Sequence, residues 1–243
     1  MKAYALTHVG KVRTGNEDAY YLPKGGERFC AVADGMGGHR AGEVASALAI
    51  EILSRCLREA AQPGEDALRA AVERANRAIY EAAAADADKR GMGTTLTALW
   101  FDASCAHLSH VGDSRAYLLR NRALMQLTND HSLVGQLVAQ GELTPSQARS
   151  HPRRNVITKA LGTDRHVMPD FTTVDRLPGD VWLLCTDGLS NLVRDSELTK
   201  LMQGGGTWPE KLQKIVDLAL TRGAPDNVTA LVALGPEEGR SDG

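Results

Sequence analysis

The sequence has no excess of charge of either sign. Its 28 lysines and arginines stand against 30 aspartates and glutamates, for a formal net charge of −2. Proteins that hold a nucleic-acid backbone or lie on a membrane surface carry a basic excess or a basic stripe, and neither is present. Long hydrophobic runs are missing as well: no window approaches the roughly 18 uninterrupted apolar residues that a spanning helix needs. The first residues, MKAYALTHVG, hold one lysine and no apolar stretch of signal-peptide length. A soluble, cytoplasmic protein is expected. Cysteine is scarce and scattered. Cys30, Cys56, Cys105 and Cys185 form no C-x-x-C pair and no Cys/His cluster at zinc spacing, so they read as buried reduced thiols rather than structural zinc ligands.

What the chain does have is an alternation of short apolar runs and amphipathic stretches. At 243 residues it is long enough for one large domain or two small ones. The residues 2–9, 28–34, 94–101, 106–113, 115–120, 180–186 and 227–234 read as strands, from their β-branched content and their bounding Gly, Asp and Pro. Ala45, Leu48, Ala49, Ile52, Leu53, Cys56 and Leu57 recur at helical spacing, and so do Leu68, Ala71, Val72, Ala75 and Ile79. Two further helices are expected near 195–203 and 207–222. Three strands between 94 and 120 follow one another too closely for crossovers, which favours antiparallel pairing. Strands and helices segregate, as in an α+β layered domain. The polar segment from about 129 to 170 reads as a structured flap insertion, because Thr144-Pro145-Ser146-Gln147 carries an N-cap, a first-turn proline and a capping-box glutamine. With no repeat and no internal linker, a single domain over 1–235 is expected, followed by a disordered tail at 236–243.

The strand ends carry acids. Asp34 ends one in AVADG, Asp113 another in HVGDS, Asp187 a third in LLCTDG, and Asp226 stands immediately before a strand in APDNV. Glu17 and Asp18 fall in the turn after the first strand, with Arg13 just ahead. Any one Asp-Gly after a strand is ordinary turn chemistry. If the strands are neighbours, however, several like charges meet at one rim and need a cation among them. Oxygen-only ligands select hard ions, so Mn²⁺ or Mg²⁺ is expected over zinc or copper. Gly35, without a side chain, would let a backbone carbonyl approach such an ion.

In this order the motifs RTGNEDA (13–19), VADGMGGHRAGE (32–43), GMGTTLTAL (91–99), HVGDSRAYLLR (110–120), LTNDHS (127–132), HPRRNVITKALG (151–162), LLCTDGLSN (183–191) and APDNVTALV (224–232) resemble the metal-dependent protein serine/threonine phosphatases of type 2C, in their short bacterial form. The resemblance runs from near the first residue to near the last. It implies a four-layer α-β-β-α sandwich, with two antiparallel sheets face to face and helices outside. It implies hydrolysis of phosphoserine and phosphothreonine by in-line attack of a water or hydroxide bridging two Mn²⁺ or Mg²⁺ ions. Asp34 would bridge the ions, the Gly35 carbonyl would bind one, Asp187 and Asp226 would hold the other, and Glu17 and Asp18 would orient water nearby. Asp113 matches an acid of a weaker third site, and Arg13 matches the arginine that grips substrate phosphate. His39 or metal-bound water would protonate the leaving alkoxide. One departure stands out: many relatives place an acid four residues after the Asp of the DGL motif, and here that position is Asn191. The partners implied are phosphorylated proteins and a serine/threonine kinase in bacterial signalling, with the phosphatase a monomer.

Three rival readings compete. A phosphatase of partner-switching regulators often lacks an arginine at the Arg13 position. A binding module that lost its metals would not keep Asp34, Asp187 and Asp226. A two-metal nuclease would need a basic surface. Other polar residues read as structural: His107 and His110 face opposite sides of one strand. His131, His151, Arg153 and Arg154 read as surface groups of the flap.

Overall fold

Residues 96–101 (LTALWF) and 181–185 (VWLLC) are buried at every position, which a strand can be only when both its faces are covered. The computed structural model, which describes residues 1–38 and 41–235, shows what covers them. The strands are β1 (Lys2–His8), β2 (Asp18–Tyr21), β3 (Phe29–Met36), β4 (Gly93–Thr94), β5 (Leu96–Phe101), β6 (Cys105–Val111), β7 (Arg115–Arg120), β8 (Ala123–Gln126), β9 (Asp170–Asp175), β10 (Val181–Cys185) and β11 (Val228–Leu234). The helices are α1 (Ala41–Glu59), α2 (Glu65–Ala85), α3 (Leu133–Ala139), α4 (Pro145–Ser150), α5 (Asp187–Ser190), α6 (Asp195–Gln203) and α7 (Trp208–Thr221).

One sheet runs β1-β11-β10-β7-β8 and the other β2-β3-β5-β6-β9, with β4 paired to β3. Every pairing is antiparallel. Between the sheets lie Cys30, Val32, Leu99, Leu108, Leu118, Trp182, Leu184 and Leu231, with Trp182 edge-on to Phe101 at 5.7 Å. Small side chains let α1 sit close on the outer face of the β3 sheet, through Ala45, Ala49 and Leu53, and α2 adds Leu68, Val72 and Ile79. Leu198, Leu212, Ile215 and Val216 of α6 and α7 cover the other sheet. The four expected layers are all present. Each Leu or Ile so enclosed contributes roughly 2 kcal/mol of burial, and truncating one to Ala costs about 2–5 kcal/mol.

The flap contains α3 and α4, and Thr144 makes the expected capping box: its hydroxyl accepts from Gln147 N, and its own N–H donates to Gln147 Oε1. Three strands depart from the sequence reading. β2, β8 and β9 are additional, and each is the edge of its sheet. The run 94–101 is also interrupted at Thr95, whose polar groups turn to Asp34. His39 and the tail 236–243 lie outside the described residues. No described helix is long and apolar enough to cross a membrane.

Candidate active site

The acids do meet at one rim. Asp18 opens β2 rather than lying in the preceding turn, and its register partner is Asp34 on β3. Asp187 begins α5 directly beyond β10, Asp226 precedes β11, and Asp113 follows β6. The sheets are joined here through one carboxylate: Asp18 Oδ2 accepts from Thr186 Oγ1 at 2.9 Å, just past β10, and from Thr229 Oγ1 at 2.6 Å on β11 of the opposite sheet. Two buried carboxylate oxygens, Asp18 Oδ1 and Asp113 Oδ1, have no hydrogen-bond partner.

Crowded acids with few donors bind protons more tightly than free ones. Burial, then the charges of Asp18, Asp187, Asp113 and Asp226, push the Asp34 pKa well above the carboxylate range. Burial followed by Asp187 and Asp130 does the same to Asp113. Burial and then Asp226 raise Asp187 to about 6. Burial raises Asp18 to about 7 against the two threonine hydroxyls, and it raises Glu17 against Arg13.

Among the described residues, no three His, Cys, Asp or Glu side chains close up into a ready metal cage. Asp226 is occupied by protein donors. Its Oδ2 accepts from Arg13 Nη2 at 2.9 Å and its Oδ1 from the N–H of Asn227, so both oxygens are engaged. The donor set nonetheless fits a hard divalent cation, which takes carboxylate and carbonyl oxygens and keeps several waters. The unpartnered oxygens and the raised pKa values are what such a charge would relieve.

The backbone at Asp34 is held from beneath. Its N–H donates to Thr95 Oγ1 at 2.9 Å, and its carbonyl accepts from Thr95 N at 2.9 Å and Thr94 Oγ1 at 2.9 Å. Ser114 Oγ lies 2.8 Å from Thr95 Oγ1. Gly35 serves packing in addition to any carbonyl role: a Cβ there would stand 2.1 Å from the Gly42 carbonyl oxygen and 2.7 Å from that of Glu17. Helix α1 and the Glu17 backbone occupy that space, rather than leaving it clear. Asn227 was not singled out from sequence, yet it organises the first loop. Its Oδ1 accepts from Glu17 N at 2.7 Å, and its Nδ2 donates to Val9 O and Gly15 O, both at 2.9 Å. An asparagine beside a candidate acid at a strand start was the available signal. The loop it ties carries Arg13, which is half exposed at the mouth of the site.

The flap closes over the other side. Arg149 on α4 donates to Ser190 O at 2.9 Å. A cavity of about 260 Å³ between the flap and α5 reaches the acids, with Asp113, Arg115, Asp130, Asp187 and Asn191 in its walls. Asn191 Nδ2 donates to Asp187 Oδ2 at 3.1 Å, so this position presents a donor rather than a charge. Arg115 grips Asp130 through two nitrogens. Arg153 and Arg154 are exposed as expected, and His151 is half-buried. His131 is not a surface group: it is largely enclosed and hydrogen-bonded to Gly112 and Asp170. His107 pairs with Asp102 at 2.8 Å and His110 is buried, each a structural placement.

Two face-to-face antiparallel sheets flanked by helices thus gather acids at one rim beside an arginine-bearing first loop. A match to the protein phosphatase 2C family covers residues 10–228, and the chain belongs to that family. It is 45% identical over 232 residues to the serine/threonine protein phosphatase PstP of Mycobacterium tuberculosis, an alignment covering 94% of this chain and 44% of that protein. The chain thus spans less than half the length of that relative. It is 39% identical over 239 residues to the serine/threonine phosphatase stp of Listeria monocytogenes, covering 96% of this chain and 95% of that one. Among solved structures, the catalytic domain of PstP in complex with 2 manganese ions superposes with a TM-score of 0.85 at 41% identity, covering 95% of this chain and 96% of that one.

Proposed function

We propose that this chain is a metal-dependent phosphoprotein phosphatase that hydrolyses phosphoserine and phosphothreonine, opposing serine/threonine kinases. The observation that carries the reading is the gathering of Asp18, Asp34, Asp113, Asp187 and Asp226 at one rim, with raised protonation at four of them and Arg13 at the mouth. PstP, a relative over nearly this whole chain, binds two manganese ions. Asp34 and the Gly35 carbonyl would hold one ion, and Asp34, Asp187 and Asp226 the other. Asp113 is the candidate for a weaker third, with Asn191 in place of a further acid. Glu17 and Asp18 support from the loop and the β2 edge.

When bound, two such cations supply positive charge against a phosphate dianion and lower the pKa of water toward neutrality. The chain's own residues do the rest. Arg13, now on Asp226, can swing its planar guanidinium onto two non-bridging phosphate oxygens, which neutralises charge and fixes orientation. That exchange frees an Asp226 oxygen as substrate arrives. Asn227 limits how far the Arg13 loop can drift, by pinning its two ends. Thr94 and Thr95 hold the Asp34 peptide on both sides, so the carboxylate stays aimed while charges around it change. His39 is the proposed proton donor to the leaving alkoxide.

The test is phosphate release from a phosphothreonine peptide, comparing metal-stripped protein with the same sample plus Mn²⁺. Release that appears only with metal supports the reading. Folded protein inactive at every Mn²⁺ and Mg²⁺ concentration overturns it.

A further inference from the structure

Asp113 is a carboxylate under pressure, standing on the weakest kind of backbone. It is buried, and its Oδ1 has no partner. It follows Gly112, which sits at φ +109°, a conformation that other residues avoid. A side chain could not stiffen that position, since a Cβ would stand 2.4 Å from Thr95 Cγ2. Whatever holds the Gly112–Asp113 unit must therefore come from outside it.

His131 does so from both sides. Its backbone N–H donates to the Gly112 carbonyl at 2.7 Å, and its Nδ1 accepts from the Gly112 N–H at 3.0 Å. Both peptides flanking Gly112 are thereby bound to one residue. With Nδ1 accepting, the ring proton is on Nε2, which faces Asp170 Oδ2 at 3.1 Å. Lys159 Nζ joins the same group, 3.2 Å from Asp170 Oδ1 and 2.9 Å from Met168 O. The His110 ring packs against that of His131, with centroids 4.8 Å apart, and is itself pinned: Nε2 donates to Asn129 O at 3.2 Å and Nδ1 accepts from Thr97 Oγ1 at 3.0 Å. His131 thus touches the entry of the flap, its exit at Asp170 and the peptide that aims Asp113.

We propose that His131 is a positioning residue that clamps Gly112, and so sets the Asp113 carboxylate in register with the flap. The clamp on Gly112 stands on geometry alone; its consequence for turnover rests on the phosphatase reading given above.

Two substitutions separate the ring's two nitrogens. In His131→Asn the amide oxygen takes the place of Nδ1 and keeps an acceptor for Gly112. In His131→Gln the amide reaches the place of Nε2, so that it faces Asp170 while Gly112 loses its acceptor. Amide hydrogen exchange at Gly112 in metal-free protein is the first readout. His131→Asn should stay within about twofold of wild type, and His131→Gln should exchange about tenfold faster. The second readout is phosphate release with saturating Mn²⁺. There His131→Gln should lose about tenfold in kcat with KM nearly unchanged, and His131→Asn should retain most of its rate. Equal exchange in the two variants, or equal kcat where wild type is active, overturns the proposal, since packing alone would then explain the ring. If wild type releases no phosphate but the exchange pattern holds, the clamp stands and the phosphatase reading fails.

Discussion

The two ends of the sandwich carry the same residue type at strand ends, and their surroundings differ completely. At the end away from the acid rim, Asp102 caps the turn between β5 and β6. It accepts from Ser104 N, Cys105 N and His107 Nε2. Burial pushes its pKa up, but these donors outweigh it and bring the group to about 2. Asp180 there is gripped by Arg120 through two nitrogens and accepts from Leu177 N as well. At the other end Asp18 and Asp113 each keep a buried oxygen with no partner, and Asp18, Asp34, Asp113 and Asp187 are all raised. An aspartate that serves the fold is surrounded by its donors. The rim aspartates other than Asp226 are left short of them, and the fold tolerates the deficit.

The largest effect that can break this division is at Asp34. Asp34→Asn should cut phosphate release by on the order of 10³-fold, while metal-free protein melts no lower than wild type, because a neutral amide replaces an acid whose charged form is disfavoured there. A near-normal rate would remove Asp34 from the chemistry.

Next comes the pH dependence. The Asp187 pKa is raised from 3.8 to about 6, so its share of stability is full below about pH 4 and lost as pH rises through 6. In metal-free protein, Asp187→Asn should match wild type near pH 4 and exceed it by about 3 kcal/mol near pH 8. His110 and His131 have depressed pKa values and destabilise the fold as pH falls, but equally in both proteins, so the difference reports Asp187 together with the Asp18, Asp34 and Asp113 carboxyls that its charge raises. Denaturant melts across that range check it; parallel curves would show that the rim is not strained.

Arg120→Ala should do the reverse of Asp34→Asn. Leaving Asp180 buried without its cation should cost about 2 kcal/mol of stability, with kcat/KM for a phosphopeptide unchanged. A large loss of activity would join the two ends functionally. The smallest effect is expected from Arg13→Ala, which should raise KM about tenfold and leave kcat within a few-fold.

How much of this was legible in the sequence follows the same geometry. Strands enclosed on both faces, such as LTALWF and VWLLC, declare themselves as unbroken apolar runs. β2, β8 and β9 are sheet edges with polar or exposed positions, and they carry no such run. Asp18 hid β2 in particular, because an aspartate reads as turn chemistry until a site accounts for it. The acids themselves were readable, since each lies within two residues of a strand end, although β3 runs on past Asp34 to Met36. The roles of Asn227 and His131 were not, because Asn227 acts on residues 210 or more positions away and His131 on a glycine 19 away. Nothing in the sequence near either residue records those contacts.

The clasp at the base of the flap has one more consequence, in chain entropy. Ser132 bridges Ile157, Leu133 N donates to Val156 O, and Thr158 N donates to His131 O, so the segment leaves and re-enters the body through adjoining points. A loop whose ends are already fastened pays little for added length, roughly 0.6 kcal/mol for each doubling. The part of this chain that overhangs the acids can therefore be lengthened, shortened or exchanged at small cost to the fold beneath it.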